Sequence, residues 1–226
     1  MKSIQVPILL VLTLLAAPVL AGTEGLPTDF ELIANRASFT FDGLGPGLNL
    51  GKSNVVSPAS DFTIQAWVNL GAYCNDSGSG SGPTCDMSIV DKMASVESVN
   101  NHGWRLLKQS DGHFWFCLGG GPDNGCDGSV STTVISRTVA VTGLWYSVTA
   151  VKTARQIAIY VNGALEGTSP LAGSFTSSDT PMLVGGNSFE GAYLIGQVGQ
   201  VELLKSALSA PIIRAAFELS KGKYGY

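Results

Sequence analysis

Phe62-Thr63-Ile64-Gln65-Ala66-Trp67-Val68-Asn69-Leu70 decides the fold class. Phe62, Ile64, Ala66, Val68 and Leu70 alternate with Thr63, Gln65, Trp67 and Asn69, the period of two that sends neighbouring side chains to opposite faces of a strand. Upstream, Phe39-Thr40-Phe41 runs into Asp42-Gly43, a strand closed by a turn pair. Downstream, Trp104 to Leu107 and His113 to Leu118 flank Ser110-Asp111-Gly112, a hairpin signal. Ile157 to Val161 ends in Asn162-Gly163, which tolerates positive φ at both positions of a tight turn. Trp145 to Val151, Met182 to Val184 and Val198 to Leu204 complete a set of about a dozen short strands, the signature of an all-β sandwich or barrel. One helix is predicted, with Ser209 capping Ala210 to Phe217 and Pro211 in the tolerant first turn. No repeat or linker divides the chain.

The N-terminus points to export. Lys2 precedes the apolar run Ile8 to Ala17, and Val19-Leu20-Ala21 fits signal peptidase cleavage after Ala21. The run is short for a bilayer core of about 30 Å, and no cysteine follows it to carry a lipid. The expected division is a signal peptide over 1–21, an extension with a first strand over 22–38, and one domain over 39–226. The mature chain is expected outside the cell or at its surface (the periplasm for a Gram-negative source), without membrane insertion.

The leader holds Lys2 and no acid, so the mature chain carries 12 basic against 17 acidic residues. That acidity, with no Lys/Arg block, excludes nucleic acid as a partner. Four cysteines in an oxidising compartment imply bridges. Cys74–Cys85 and Cys117–Cys126 close the shortest loops, each around a Gly/Ser/Asp-rich stretch that cannot pack itself, and metal-ligand spacing is missing. Asn75-Asp76-Ser77 is a glycosylation sequon, meaningful in a eukaryotic source.

The order of these motifs resembles the laminin-G-like branch of the concanavalin A-like lectin/glucanase superfamily. Phe41-Asp42-Gly43, Phe62 to Val68, Ile89-Val90-Asp91-Lys92 and Gly103-Trp104-Arg105-Leu106 stand in its sequence. So do Trp145-Tyr146-Ser147-Val148, Ile159-Tyr160-Val161-Asn162-Gly163 and Gly196-Gln197-Val198-Gly199 through Leu208-Ser209. The resemblance covers roughly Phe39 to Phe217 and implies a two-sheet antiparallel jelly-roll sandwich. It identifies a fold, whose function must be argued from the site.

Catalysis finds little support. The glucanase side of the family uses Glu-x-Asp-x-Glu on one strand face, and here the equivalent stretch, Gln197 to Glu202, carries Glu202 alone, read as a strand-edge surface residue. The two histidines, His102 and His113, lie in no metalloprotease or nucleophile-elbow motif, and His113 is expected on a solvated face. The resemblance implies calcium at the loop rim, a cation that needs six to eight oxygens. Two acidic positions of the family pattern fall on Pro46-Gly47-Leu48 and on Gly199. Asp42 remains as a candidate calcium ligand, although Asp-Gly is equally a turn pair, and Asp123 and Asp127 offer oxygens near the second cysteine loop.

Binding is left. Sugar sites combine an aromatic platform with amide and carboxylate groups. Phe114, Phe116 and Leu118 read as core, leaving Trp115 on the opposite face as either a ligand platform or a residue covered by a disulfide loop. Trp67, Trp104 and Trp145 read as core. Gly185 to Tyr193 offers Asn187, Glu190 and Tyr193 at a flexible tip, and Asp123 stands in the loop Gly119 to Gly125. These residues define the expected ligand contacts of a secreted, non-catalytic module that binds a glycan. The alternative is a structural or adhesive protein that self-associates or binds an extracellular protein, which suits the low share of charged residues, 13%.

Overall fold

The structure is a computed structural model and describes residues 30–32, 38–52, 59–71, 86–94, 102–120, 126, 132–172, 175–187 and 191–226. The signal sequence, Cys74, Asn75, Cys85, Asp123, Asp127 and Glu190 lie outside the described residues.

Phe62–Leu70 forms β4, the longest stretch of clean alternation. The other strands, in chain order, are β1 (Phe30–Leu32), β2 (Phe39–Asp42), β3 (Leu48–Asn49), β5 (Met87–Asp91), β6 (Gly103–Lys108) and β7 (His113–Gly119). They continue with β8 (Thr133–Val139), β9 (Trp145–Lys152), β10 (Gln156–Val161), β11 (Ala164–Pro170), β12 (Leu183–Val184) and β13 (Ile195–Leu204). One sheet runs β1-β13-β4-β9-β10-β11, with β2 also paired to β13; the other runs β3-β12-β5-β6-β7-β8. Every described pairing is antiparallel. The architecture is a concanavalin A-like jelly-roll sandwich, as the motif order implies.

Alternation explains the core. Phe62, Ile64, Ala66, Val68 and Leu70 point inward against Trp104, Leu106, Phe114, Phe116 and Leu118 of the facing sheet. Full burial of one side chain of this size stabilises by roughly 1.5–3 kcal/mol, so these positions dominate the fold's stability. The turn chemistry also holds: Asn162 and Gly163 adopt φ of 51° and 76° between β10 and β11.

The outward face of β4 is buried as well. The helix α1 (Ala210–Ser220) and a 3-10 turn over Lys221–Tyr224 lie across it. Trp67 stacks on Tyr224 with ring centroids 4.1 Å apart and on Phe217 at 5.8 Å, while its Nε1 donates to Ser220 Oγ at 3.2 Å. So Trp67 is fully buried, but beneath the C-terminus rather than between the sheets. Trp104 is in the inter-sheet core, and Trp145 is partly exposed, against Tyr224. The helix runs three residues past Phe217. Ser209 holds the N-cap position and its carbonyl accepts from Ile213, but its side chain makes no capping bond.

Candidate functional site

The six-stranded sheet ends in a cleft. At the Asp91 end of β5 the chain continues through Lys92 and Met93 to Ala94, which pairs with His102 by two backbone hydrogen bonds of 2.8 and 3.0 Å. That bridge fixes His102 just before β6. On the other side Leu50 and Met182 exchange backbone bonds with each other's segment, Leu50 N to Met182 O and Met182 N to Gly51 O, both 2.9 Å. Lys52 is thereby set beside Pro181. Lys52, Ala94, His102, Ser177, Asp179, Thr180 and Pro181 line an open cleft of about 510 Å³, a volume suited to a small ligand or one end of an oligosaccharide.

A buried lysine fixes the cleft's polar wall. Lys92 is 2% exposed, and its Nζ donates to the carbonyls of Ser178 and Thr180, each at 2.9 Å. The Ser178 and Thr180 hydroxyls are 2.6 Å apart, and Thr180 N donates to Ser178 Oγ at 3.0 Å. Asp179, between the two clamped carbonyls, projects into solvent. Gly103 lets this loop come close: at φ 100°, a Cβ there would sit 2.0 Å from the Lys92 carbonyl and 2.9 Å from Ser178 Cβ. Burial holds the Lys92 pKa below the ordinary lysine value; Asp179 raises it and Lys52 lowers it further.

The residues expected from sequence do not converge here. Trp115 is partly buried and packs with Met93, Leu107, Cys117 and Cys126 on the outer face of the six-stranded sheet. The Cys117–Cys126 bridge is present, with Cα atoms 5.0 Å apart, so Trp115 packs against the disulfide and lines no part of the cleft. Asn187, expected at a ligand-facing tip, is fully buried, because Gly185 and Ala192 bond to β5 at Ile89 and Ser88 and draw the loop inward. Tyr193 is partly buried in the same loop. That loop and Asp42 lie at the Met87 end of β5, opposite the cleft, where Phe41 packs against Gly185. Lys52, Lys92 and Asp179 were missed. The polar run Thr176-Ser177-Ser178-Asp179-Thr180 before a strand was the available signal, whereas the Lys92 clamp depends on contacts 86 and 88 residues away.

Of the calcium candidates, Asp42 is described, and Asp123 and Asp127 lie outside the described residues. Asp42 Oδ1 accepts the Leu44 N–H at 2.9 Å, the local bond of a turn. Among the described residues no three His, Cys, Asp or Glu side chains gather as a metal would need. Glu202 is not at an edge, since β13 pairs on both sides. It is partly buried beside the C-terminal turn, where burial pushes its pKa up against the opposing effects of Gln200 and Lys223.

The family model of the concanavalin A-like lectin/glucanases superfamily matches residues 42–214. The chain belongs to this superfamily. No curated protein matches the chain in sequence. Among solved structures, the binding domain of Paraclostridial Mosquitocidal Protein 1 is similar at TM-score 0.58 and 13% identity, over 85% of this chain and 46% of that one. The binding domain of botulinum neurotoxin DC in complex with rat synaptotagmin II gives 0.58 and 15%, over 84% and 45%. The same toxin's binding domain in complex with SialylT gives 0.51 and 15%, over 71% and 36%. The chain spans less than half the length of each, and at such identities the likeness is one of fold. The superfamily's name joins lectins to glucanases, and among the described residues the carboxylate lining this member's cleft is Asp179.

Proposed function

We propose that this chain is an exported, non-catalytic recognition module that holds a glycan in the cleft between Lys52, His102 and Asp179. The observation that carries the reading is the loop 177–181, locked by the buried Lys92 so that one carboxylate and neighbouring hydroxyls face an open cleft of small-ligand size. Preorganised donors and acceptors suit sugar hydroxyls, because little ordering entropy remains to be lost on binding. Among the described residues Asp179 is the cleft's carboxylate, whereas glycoside hydrolysis needs two about 5–9 Å apart. The complexes of structural neighbours with SialylT and with synaptotagmin II support a binding role for the fold.

A glycan array with and without calcium tests this. Binding is expected in the wild type and lost in both Asp179→Ala and His102→Ala, with unchanged melting temperatures. Binding that survives both substitutions would put the site elsewhere.

Protein contact is the second reading. Leu44 (75% exposed), Val139 (52%), Val141 (48%) and Leu144 (54%) stand at the end of the sandwich opposite the cleft. A mass that rises with concentration and ignores sugars would favour it.

A further inference from the structure

We infer that Glu166 guards a sheet edge: its carboxylate occupies the backbone donors of β8 through which a second copy of this chain would add a strand. Among the described strands β8 ends the six-stranded sheet and β11 ends the seven-stranded one, and these two terminal strands meet on one side of the sandwich. An edge with unpaired N–H groups is a template for another strand. Three contacts lay β11 along β8. Ser169 Oγ donates to the Thr133 carbonyl at 2.7 Å. Gly167 lies so close to Ile135 that a Cβ would meet its carbonyl at 2.5 Å. Glu166 Oε2 accepts from the Arg137 and Thr138 N–H groups at 2.9 and 2.8 Å.

Two bulges create the Glu166 contact. In the β10–β11 ladder Ile159 pairs with Gly167 and Tyr160 with Leu165, so Glu166 is the extra residue and its side chain is re-aimed. In the β7–β8 ladder His113 pairs with Val139 and Trp115 with Ile135, so Ser136, Arg137 and Thr138 all stand opposite Phe114. Ser136 Oγ fills the gap on the β7 side, accepting from Phe114 N and donating to Thr138 O, both at 2.9 Å. The next two N–H groups converge on one carboxylate oxygen, the arrangement by which successive backbone donors seat an anion. The Thr138 hydroxyl donates to the other oxygen at 2.6 Å, and the Arg137 guanidinium donates to the Leu165 carbonyl at 3.0 Å. A second copy fits what the carboxylate covers, because a twofold pairing of β8 with itself would satisfy both sets of donors. Val139 and Leu165 flank the seat at 52% and 45% exposed, apolar side chains that a paired strand would shelter. The inference is independent of the glycan reading, since Glu166 lines no part of the cleft.

The experiment compares wild type, Glu166→Ala and Glu166→Gln by light scattering across a concentration series. Salt is held at about 300 mM, so that the Arg137 charge left by either variant is screened. Glu166→Ala is expected to exceed the wild-type mass by a margin that grows with concentration. Read at low concentration, amide exchange at Arg137 and Thr138 should rise about ten- to hundredfold, the worth of a hydrogen bond to a charged group. Exchange in β4 should stay unchanged. Adding Val139→Lys to Glu166→Ala should return the mass to the wild-type value, because a charged edge strand resists pairing. Glu166→Gln keeps a neutral acceptor in the same place, so it serves where the alanine variant does not fold, and should show both changes at smaller size. A folded variant whose mass matches wild type at every concentration overturns the inference. So does extra mass that survives Val139→Lys, or unchanged exchange at the two amides.

Discussion

Tyr224 occupies the space that a side chain at position 199 would need. A Cβ built on Gly199 falls 2.5 Å from the Tyr224 hydroxyl and 2.7 Å from its ring. The same hydroxyl accepts the Gln200 N–H at 2.9 Å, and the ring stacks on Trp67. Gly199 therefore leaves room for the C-terminal turn to seat against β13.

Gly199→Ala is expected to push Tyr224 off Trp67 and cost about 1–3 kcal/mol, the usual effect of overpacking. Tyr224→Ala alone should also destabilise, through the lost stacking. Since both changes act on one contact, the double variant should lose less than the two singles added together. Urea unfolding of the four proteins checks it; strict additivity would mean that the contact does not couple them.

Glu202 sits opposite Gln65 across β13 and β4, and Gln200 Nε2 donates to its carboxylate. Gln65 Oε1 is buried without a hydrogen-bond partner among the described residues. Burial raises the Glu202 pKa, so between its unfolded and folded values the native state holds a proton that the unfolded state has released. Stability therefore falls as pH rises through that window, and the penalty is fully present above the folded value. Glu202→Gln removes the ionisation while keeping an acceptor for Gln200 and supplying a donor toward Gln65. Its Tm should exceed that of the wild type by about 2–4 °C at pH 8, the response of a domain this size to about 1 kcal/mol. The difference should shrink toward pH 4. Melts at several pH values decide it, and a pH-independent difference would assign the effect to packing.

How much of this was legible in the sequence follows from the range of each contact. β4 was readable because alternation is local, and the Asn162-Gly163 turn because its φ demands belong to two adjacent residues. Trp67 was correctly placed as buried, but its partners Phe217 and Tyr224 lie 150 and 157 positions onward, so which surface buries it was not readable. The cleft is the same problem in sharper form. His102, Asp179 and Lys52 carry no shared motif, and only the pairing of β3, β12 and β5 brings their segments to one end. Loop composition pointed instead to Asn187, where glycines allow the loop to fold inward and bury the amide.

The Cys117–Cys126 bridge closes a short loop beside Trp115. Replacing both cysteines by serine should cost about 2–3 kcal/mol, from chain entropy released in the unfolded state. It should also shift the protein's tryptophan emission to the red as the cover of Trp115 loosens. Glycan binding should persist, because neither cysteine lines the cleft. Chemical denaturation, fluorescence and the array together test the three parts, and loss of binding at full folding would tie the bridge to the site.

Lys92 gives the most direct link from fold to function. Its ammonium satisfies two carbonyls of a loop that the Gly103 N–H to Thr176 O bond of 2.8 Å also anchors. Lys92→Met preserves the length of the apolar stem but leaves the Ser178 and Thr180 carbonyls without their donor. A loss of about 1–3 kcal/mol is expected, the cost of leaving buried polar groups unmet. Amide exchange should rise at 177–180 and stay unchanged in β4, because the released loop opens locally while the core does not. Glycan affinity should fall more than overall stability would require, since Asp179 must then be ordered on binding. If exchange in the loop is unchanged in this variant, the lysine is not the clamp and the cleft's rigidity has another source.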